Sequence, residues 1–455
     1  MNLIANENEF KEKSSINFVL PCPRKKNHLS FTISPIVLKE EHPMIDIQLI
    51  RTEPDRIRAL CERRGSDVDL DRLIAVDIEY REDLGKLEEL RHEQKKISAL
   101  VRQQPEYREQ AVQQKNQIKE LEDLTRTLEA ERYQLWVSLP NLLAEDTPDG
   151  VDDSENVEIY KWGTLPSFDL QSKTHEDIGK DLDILDLERG AKLAGSGFYF
   201  WKGDGAKLAW AIFNLAMNFL VSKGFTLLFT PVVARERTMF GTGYLPFAED
   251  QVYRIEGEDL CLIGTSEQTL VGYHADEIIP EDSLPLCYTA FTPCLRTEAG
   301  AGGRAARGAY RVHQFHKVEQ IVFCKPEESE KWHQECQKNA EALFQMLEIP
   351  YRVVRVCVGD LGAPAYKKYD IEGWFSSFSE YKETHSNTNL LDYQTRRLNI
   401  RCKGTSGTFY PHTISATGIT DRASLSILEN NQTKDGAILL PKVLQPYMGG
   451  QKKIG

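Results

Sequence analysis

The sequence predicts an α+β protein in two parts: an N-terminal antiparallel coiled-coil arm, then a larger domain organised around antiparallel strands. Three observations carry this. Charged sequence with apolar residues at heptad spacing runs on both sides of Pro105. From Trp162 onward, glycine, aromatic and β-branched residues become more frequent. Within that second part, strand-like alternation runs up to Glu298 and resumes at Tyr310, with glycines, alanines and arginines between.

At 455 residues the chain is long enough for two or three domains with substantial cores. A net charge of -13 argues against nonspecific coating of nucleic acid, but RNA binding needs only a local basic stripe. The loop after Glu298 supplies Arg304 and Arg307 without an acid. Nine cysteines stand singly, with no CxxC pair and no His/Cys cluster at zinc spacing. A disulfide frame and a zinc site are therefore not expected, and a reducing, cytoplasmic setting is. The most apolar run, Leu208 to Val221, falls short of the roughly twenty residues a membrane helix needs. It is expected to be a buried helix, with no membrane partner.

Residues 1–43 are a mixed extension without a signal-peptide core or the acid-poor character of a transit peptide, and are expected to be disordered. Residues 44–144 form the arm domain. Glu53-Pro54 opens a helix, and Leu73, Tyr80 and Leu87 then fall seven apart with Val76, Leu84, Leu90 and Ile97 between. Beyond Pro105 a second helix carries Ile118, Leu121, Leu124, Leu128 and Leu135. Some thirty residues give an arm roughly 45 Å long. An ordinary bundle is the competing reading, but no further helices stand nearby to complete one. The acidic stretch through Pro148 and Gly150 reads as a linker over residues 145–161. Residues 162–455 form the second domain. They contain no Walker-type loop and no GxGxxG after a strand, so a nucleotide site cannot rest on either device.

On a strand, Arg311, His313, Phe315, Lys317 and Glu319 share one face. Two cations, a carboxylate and a flat aromatic suit the floor of a polar ligand site, and Arg296 and Glu298 on the partner strand add to it. A strand pair laced with salt bridges is the alternative. Thr265-Ser-Glu267 brings a hydroxyl and a carboxylate that could receive an ammonium group, although the stretch taken alone reads more readily as a plain loop. Acids alternate again through Asp370, Glu372 and Glu383, as beside a triphosphate with magnesium. Arg422 opens a helix, where the dipole does not favour a cation, so its charge is wanted for a ligand.

These segments together resemble the class II aminoacyl-tRNA synthetases, and within them the bacterial-type seryl-tRNA synthetases. The motifs are the arm, Pro231 after Lys-Gly-Phe, Cys-Leu-Arg296-Thr-Glu298 with Arg311-Val-His-Gln-Phe315-His-Lys-Val-Glu319, and Gly-Ile-Thr-Asp-Arg422. The resemblance runs from Met44 to the C-terminal Pro446-Tyr-Met-Gly-Gly. It implies a catalytic domain of antiparallel sheet flanked by helices, a homodimer through the segment around Pro231, and serine, ATP and tRNA(Ser) as substrates. Arg296, Arg422 and Glu383 would be catalytic. ATP would be met by Arg296, Thr297, Glu298, Arg311, Val312, Phe315, Glu383, Thr384, His385, Ser386 and Arg422, with Mg2+ at Glu383 and Ser386. Thr265, Ser266, Glu267, Arg296, Glu319 and Thr417 would hold serine.

Departures from the family pattern occur at Gly264, at Gln268-Thr269, at Thr384-His385, at Ser415-Ala-Thr417 and in a one-residue shortening before Arg422, all around the amino-acid pocket. The alternative function is a divergent paralogue, an antibiotic-resistant or biosynthetic copy with another amino acid or acceptor, or a non-catalytic tRNA-binding protein.

Overall fold

The computed structural model describes residues 18–22, 25–31, 45–101, 104–168, 172–299, 308–405 and 407–455. The chain divides into two compact units, Met1–Pro140 and Asn141–Gly455.

In the first unit, β1 (Phe18–Cys22) and β2 (Lys25–Phe31) pair as an antiparallel hairpin. Most of the extension expected to be disordered lies outside the described residues, but this stretch is paired. Its register sets Phe18 opposite Phe31 and Leu20 opposite Leu29. The helices are α1 (Ile47–Thr52), α2 (Pro54–Arg63), α3 (Leu70–Val101) and α4 (Arg108–Val137). Arg72 bonds to Glu131, Arg91 to Glu122 and Gln114 to Glu93, so contacts climb α3 as they descend α4. The pair is an antiparallel coiled coil, about 48 Å long along α3 at 1.5 Å per residue. Leu73, Val76, Tyr80, Leu87, Ile118 and Leu128 are buried, with Val76, Tyr80 and Leu128 in one cluster. Leu124, expected in the seam, is 49% exposed, and Thr125 is buried beside it.

The second unit is built on an eight-stranded sheet. In chain order its strands are β3 (Val157–Trp162), β4 (Thr226–Leu227), β5 (Leu286–Leu295), β6 (Gln314–Cys324), β7 (Tyr351–Arg355), β8 (Lys367–Phe375), β9 (Glu380–Leu391) and β10 (His412–Thr420). They lie in the order β3-β7-β8-β9-β10-β6-β5-β4, all antiparallel except the β5–β4 pair. Four helices matter for the site: α5 (His175–Asp181), α6 (Gly203–Ser222), α7 (Ser329–Met346) and α8 (Arg422–Asn430). The run from Leu208 to Val221 lies in α6, which is long and apolar enough by composition to cross a membrane. Its Leu208, Ile212 and Leu220 are instead packed in one core with Val318 and Val322 of β6, Phe344 of α7, Ile371 of β8 and Ile414 of β10. One sheet face is thus covered by helices. On the other face alternation places Lys317 and Glu319, and beyond them Ile321 and Phe323 in a smaller apolar cluster.

The predicted linker at residues 145–161 belongs to this unit. Pro148 and Gly150 carbonyls accept backbone bonds from Val358 and Gly359 at 3.0 Å each, and residues from Val157 onward are the edge strand β3. The charged composition that suggests a linker is that of a solvent-facing edge: every β3 residue except Trp162 is exposed.

One buried charge cluster holds the base of the arm. Asp77 accepts from Arg51 at 2.7 and 2.8 Å and from Arg132 Nε at 2.8 Å. The Arg132 guanidinium lies 4.9 Å from the ring centres of both Tyr80 and Trp136. Burial pushes the Asp77 carboxyl up, but the two arginines outweigh it and hold it below the usual range. A depressed carboxylate pKa gives stability that is present at neutral pH and lost as pH falls through the folded value. Asp77→Ala takes from Arg51 and Arg132 the buried carboxylate they share and is expected to cost about 3–5 kcal/mol, read as a lower melting temperature of the helical signal.

Candidate active site

Two β-bulges set which side chains reach the open face. On β10, Val318 stands opposite Ile419 and Glu319 opposite Thr417, so Gly418 is the extra residue. A Cβ at Gly418 would lie 3.1 Å from Leu220 and from the Val318 carbonyl, so the crowded core side accepts a glycine there. The bulge keeps Ile419 in the core while turning Thr417 toward Glu319. On β9, His385 opposes Ile371 and Glu383 opposes Glu372, leaving Thr384 extra. The Thr384 hydroxyl donates to the Ile371 carbonyl, and the His385 ring meets Phe344 of α7 edge-on at 4.4 Å. Both residues turn to the helix-covered side, so Glu383 and Ser386, three apart, both turn to the open side.

The centre of the open face is a closed polar knot. Glu319, 1% exposed, accepts from Lys317 Nζ at 2.5 Å, the Thr265 hydroxyl at 2.5 and 2.7 Å, the Ser266 hydroxyl at 2.6 Å and the Glu267 backbone N–H at 2.9 Å. Lys317 also donates to Thr265 Oγ1 at 2.7 Å. Burial would raise the Glu319 carboxyl, but Lys317 and the two hydroxyls hold it below the usual range. Glu267 goes the other way. Burial first, then the charge of Glu319, push it up to about 7. Gln394, fully buried, donates to Glu267 Oε1 at 2.5 Å and to the Thr242 carbonyl at 3.2 Å, while its Oε1 accepts from Thr413 at 2.9 Å.

Beside this knot lies a row of cations and one flat ring. Arg296 leaves the end of β5 and donates to the Gly264 carbonyl at 3.2 Å and to the Tyr244 hydroxyl at 3.2 Å, its guanidinium 5.4 Å over the Phe315 ring. Tyr244 is within electrostatic reach of Arg296, Glu267, Lys317 and Glu319, which joins the row to the knot. Glu298, at φ 48°, pairs with Arg311 at 2.5 Å. A non-glycine residue in that region is strained, which is characteristic of ligand sites. Arg422 donates from Nη1 to the Glu383 carbonyl at 2.7 Å and from Nε to the Tyr310 carbonyl at 3.3 Å, with its charge 4.4 Å over the Tyr310 ring. Its Nη1 is 3.8 Å from Glu383 Oε2. Partial desolvation would raise the Glu383 carboxyl, but Arg422, Lys368, Arg296 and Arg311 outweigh it and hold it below the usual range.

The structure therefore brings together Thr265, Ser266, Glu267, Glu319, Thr417, Arg296, Glu298, Arg311, Phe315, Glu383, Ser386 and Arg422. It does not bring Thr384 and His385 to the ligand face, because the bulge carries both into the core. Val312 is buried in an apolar cluster with Leu185, Ala309, Phe375 and Leu425. Thr297 spends its hydroxyl on the Asp250 carbonyl. The strands are also shorter than expected: β5 stops at Leu295 and β6 starts at Gln314, and the loop between them lies outside the described residues over 300–307. Lys317 lies on the face the alternation predicts, although the family resemblance gives it no role in the site. Tyr244 and Gln394 come from distant segments and carry no local signal.

Comparison with known proteins gives the same two-part division. The family described as "Seryl-tRNA synthetase N-terminal domain" matches residues 44–144, and "tRNA synthetase class II core domain (G, H, P, S and T)" matches residues 251–431. A serine–tRNA ligase of Dictyoglomus turgidum is 43% identical over 89% of this chain and 98% of its own length. One of Nitrosopumilus maritimus is 40% identical over 90% of this chain and all of its own. Among solved structures, seryl-tRNA synthetase from Pyrococcus horikoshii complexed with ATP superimposes with a TM-score of 0.86 at 37% identity, covering 90% of this chain and 99% of that one. The cytoplasmic serine–tRNA ligase of Naegleria fowleri in complex with AMP gives 0.82 at 34%, covering 91% and 99%. With the polar knot, the cation row and an antiparallel helical arm in one sequence, the chain belongs to the seryl-tRNA synthetase family of class II aminoacyl-tRNA synthetases.

Proposed function

We propose that the open face of the sheet joins serine to ATP, and that the seryl group then passes to tRNA(Ser). The observation that carries this is that Arg296 ties a knot of hydroxyls and carboxylates to a row of arginines beside Phe315, donating to the Gly264 carbonyl next to Thr265 and lying over the Phe315 ring. The serine carboxylate attacks the α-phosphorus of ATP. A carboxylate oxygen–phosphorus bond forms, and the bond to the pyrophosphate oxygen breaks. The attacking group is already an anion, so the protein's task is placement and charge neutralisation rather than proton abstraction. Arg296, between the knot and Phe315, would meet the α-phosphate. Phe315 would stack on adenine, with Glu298 on its edge, and Arg422 would take the charge of the departing pyrophosphate. Glu267, with Thr265 and Thr417, would receive serine, and Glu319 would fix them.

Magnesium would sit with ATP at Glu383 and Ser386. The fit rests on the bulge that sets a carboxylate and a hydroxyl on one face, both hard oxygen donors, with Glu383 kept ionised by its arginine neighbours. When bound, the ion would neutralise phosphate charge. The charged coiled coil would bind tRNA away from its acceptor end through shape and backbone contacts. A cytoplasmic setting is supported by the free state of all eight cysteines whose side chains are described. A homodimer is supported by the exposed apolar strip beside Pro231, where Phe229 is 98%, Leu227 48% and Val232 39% exposed. The paralogue alternatives find no support in the matches.

The principal test is serine-dependent ATP–pyrophosphate exchange. Arg422→Ala is expected to lower the rate by about 100-fold or more, because its charge acts where charge develops. Phe315→Ala should raise the KM for ATP with a loss of about 1–3 kcal/mol and spare that for serine. Near-normal exchange in Arg422→Ala would refute its assignment to the pyrophosphate.

Glu267 supplies a pH signature. Its carboxyl must be ionised to hold an ammonium group, and its raised pKa of about 7 means that it protonates as pH falls below neutrality. The KM for serine is expected to rise roughly tenfold per pH unit below about 7 while that for ATP stays level. Glu267→Gln should weaken serine at every pH and abolish the dependence.

Replacing Phe229 by Glu should convert the dimer to monomer in sedimentation velocity. By two-fold symmetry the change acts twice, at about 1.5–3 kcal/mol for each buried ring.

A further inference from the structure

The segment that re-enters the sheet ahead of β6 is held by a buried pair that the roles above do not use. His175, the first residue of α5, and Glu429 of α8 have side-chain exposures of 2% and 0%, with Nδ1 2.7 Å from Glu429 Oε1. The other ring nitrogen, Nε2, lies 3.1 Å from the backbone nitrogen of Ala309. A backbone N–H can only donate, so Nε2 accepts, and the ring proton sits on Nδ1 and donates to Glu429. Glu429 also accepts from the backbone of His175 at 3.2 Å and of Ser377 at 3.1 Å. The ring presses on the chain as well: Gly308 has φ 69°, and a Cβ there would lie 2.1 Å from Nε2.

The residues after Ala309 lead directly to the cations. The Tyr310 carbonyl accepts from Arg422 Nε at 3.3 Å, and its hydroxyl donates to the Glu383 carbonyl at 2.7 Å. Arg311 then pairs with Glu298. A buried His–Glu pair is costly to desolvate, and Leu185, Val312, Phe375 and Leu425 already supply apolar packing around Ala309. Toward the cations the pair adds one directed bond, to the backbone just before Tyr310.

We propose that His175 is a positioning residue for adenylation, which through Ala309 sets the place of Tyr310 and so of the Arg422 guanidinium. The proposal rests on the reading of Arg422 as the pyrophosphate-side cation. His175→Asn keeps an amide N–H near the Nδ1 position for Glu429 but has no acceptor at Nε2. His175→Gln reaches the Nε2 position with an acceptor. In ATP–pyrophosphate exchange, His175→Asn is expected to raise the KM for ATP and lower kcat about tenfold each, the KM for serine staying within about twofold, because one buried N–H loses its partner. His175→Gln should recover most of the ATP effect. A second variant, Glu429→Gln, weakens the hold on the Nδ1 proton and should raise the KM for ATP a few fold with serine unchanged. An ATP KM unmoved in both His175→Asn and Glu429→Gln, or KM values for ATP and serine rising together, overturns the proposal. Arg422→Ala is assayed alongside. If it is inactive while His175→Asn has wild-type kinetics, the positioning role alone fails; if it exchanges normally, the reading of Arg422 falls and this proposal with it.

Discussion

A carboxylate sunk in the sheet, Glu319, dictates the arrangement of its surroundings. Removing it from water is unfavourable by several kcal/mol unless it is neutralised and fully hydrogen-bonded. Lys317, two hydroxyls and a backbone N–H meet that demand. The consequence is mechanical as well as electrostatic. The Thr265–Glu267 segment cannot drift from β6 without stranding a charge, so it is a rigid wall rather than the loop its sequence suggests. Holding Glu267 there buries a second carboxylate beside the first, and its burial, then the charge of Glu319, raise its affinity for protons. One buried ion pair thus fixes the shape of the neighbouring wall and contributes to its titration.

Much of this site was legible in the sequence because it sits on strands. The alternation of Phe315, Lys317 and Glu319 marks one face, and the intervening Val318 belongs to the helix-covered core. The bulges were not legible. An extra residue in a ladder leaves no trace in composition, so Thr384 and His385 read as part of a ligand-facing run although they pack beneath it. Tyr244 and Gln394 were invisible for another reason. Tyr244 meets Arg296 52 positions away, and Gln394 meets Thr242, Glu267 and Thr413 at 152, 127 and 19 positions, and no local periodicity reports such meetings.

The arm shows the same division. Heptad spacing identifies Leu73, Val76, Tyr80 and Leu87 as its seam. It cannot identify Asp77 and Arg132, because charged residues at core positions look like solvent-facing ones until the partner helix is in place. The acidic stretch after Leu143 misleads in the opposite sense, since an exposed edge strand and a tether have the same need for charge. Composition reports contact with water, not the reason for it.

The bulge on β9 also governs which changes of length the chain tolerates. Glu383 and Ser386 share a face only because an odd number of steps separates them across an extra residue. Straightening the bulge with every residue kept would turn one of the two into the hydrophobic interior, whereas deleting Thr384 would leave them two apart and still on one face. Point substitutions at Thr384 or His385 act on packing beneath the sheet and reach the site above it only when they undo the bulge. In this strand, how the ladder absorbs its extra residue matters more to the site than which residue that is.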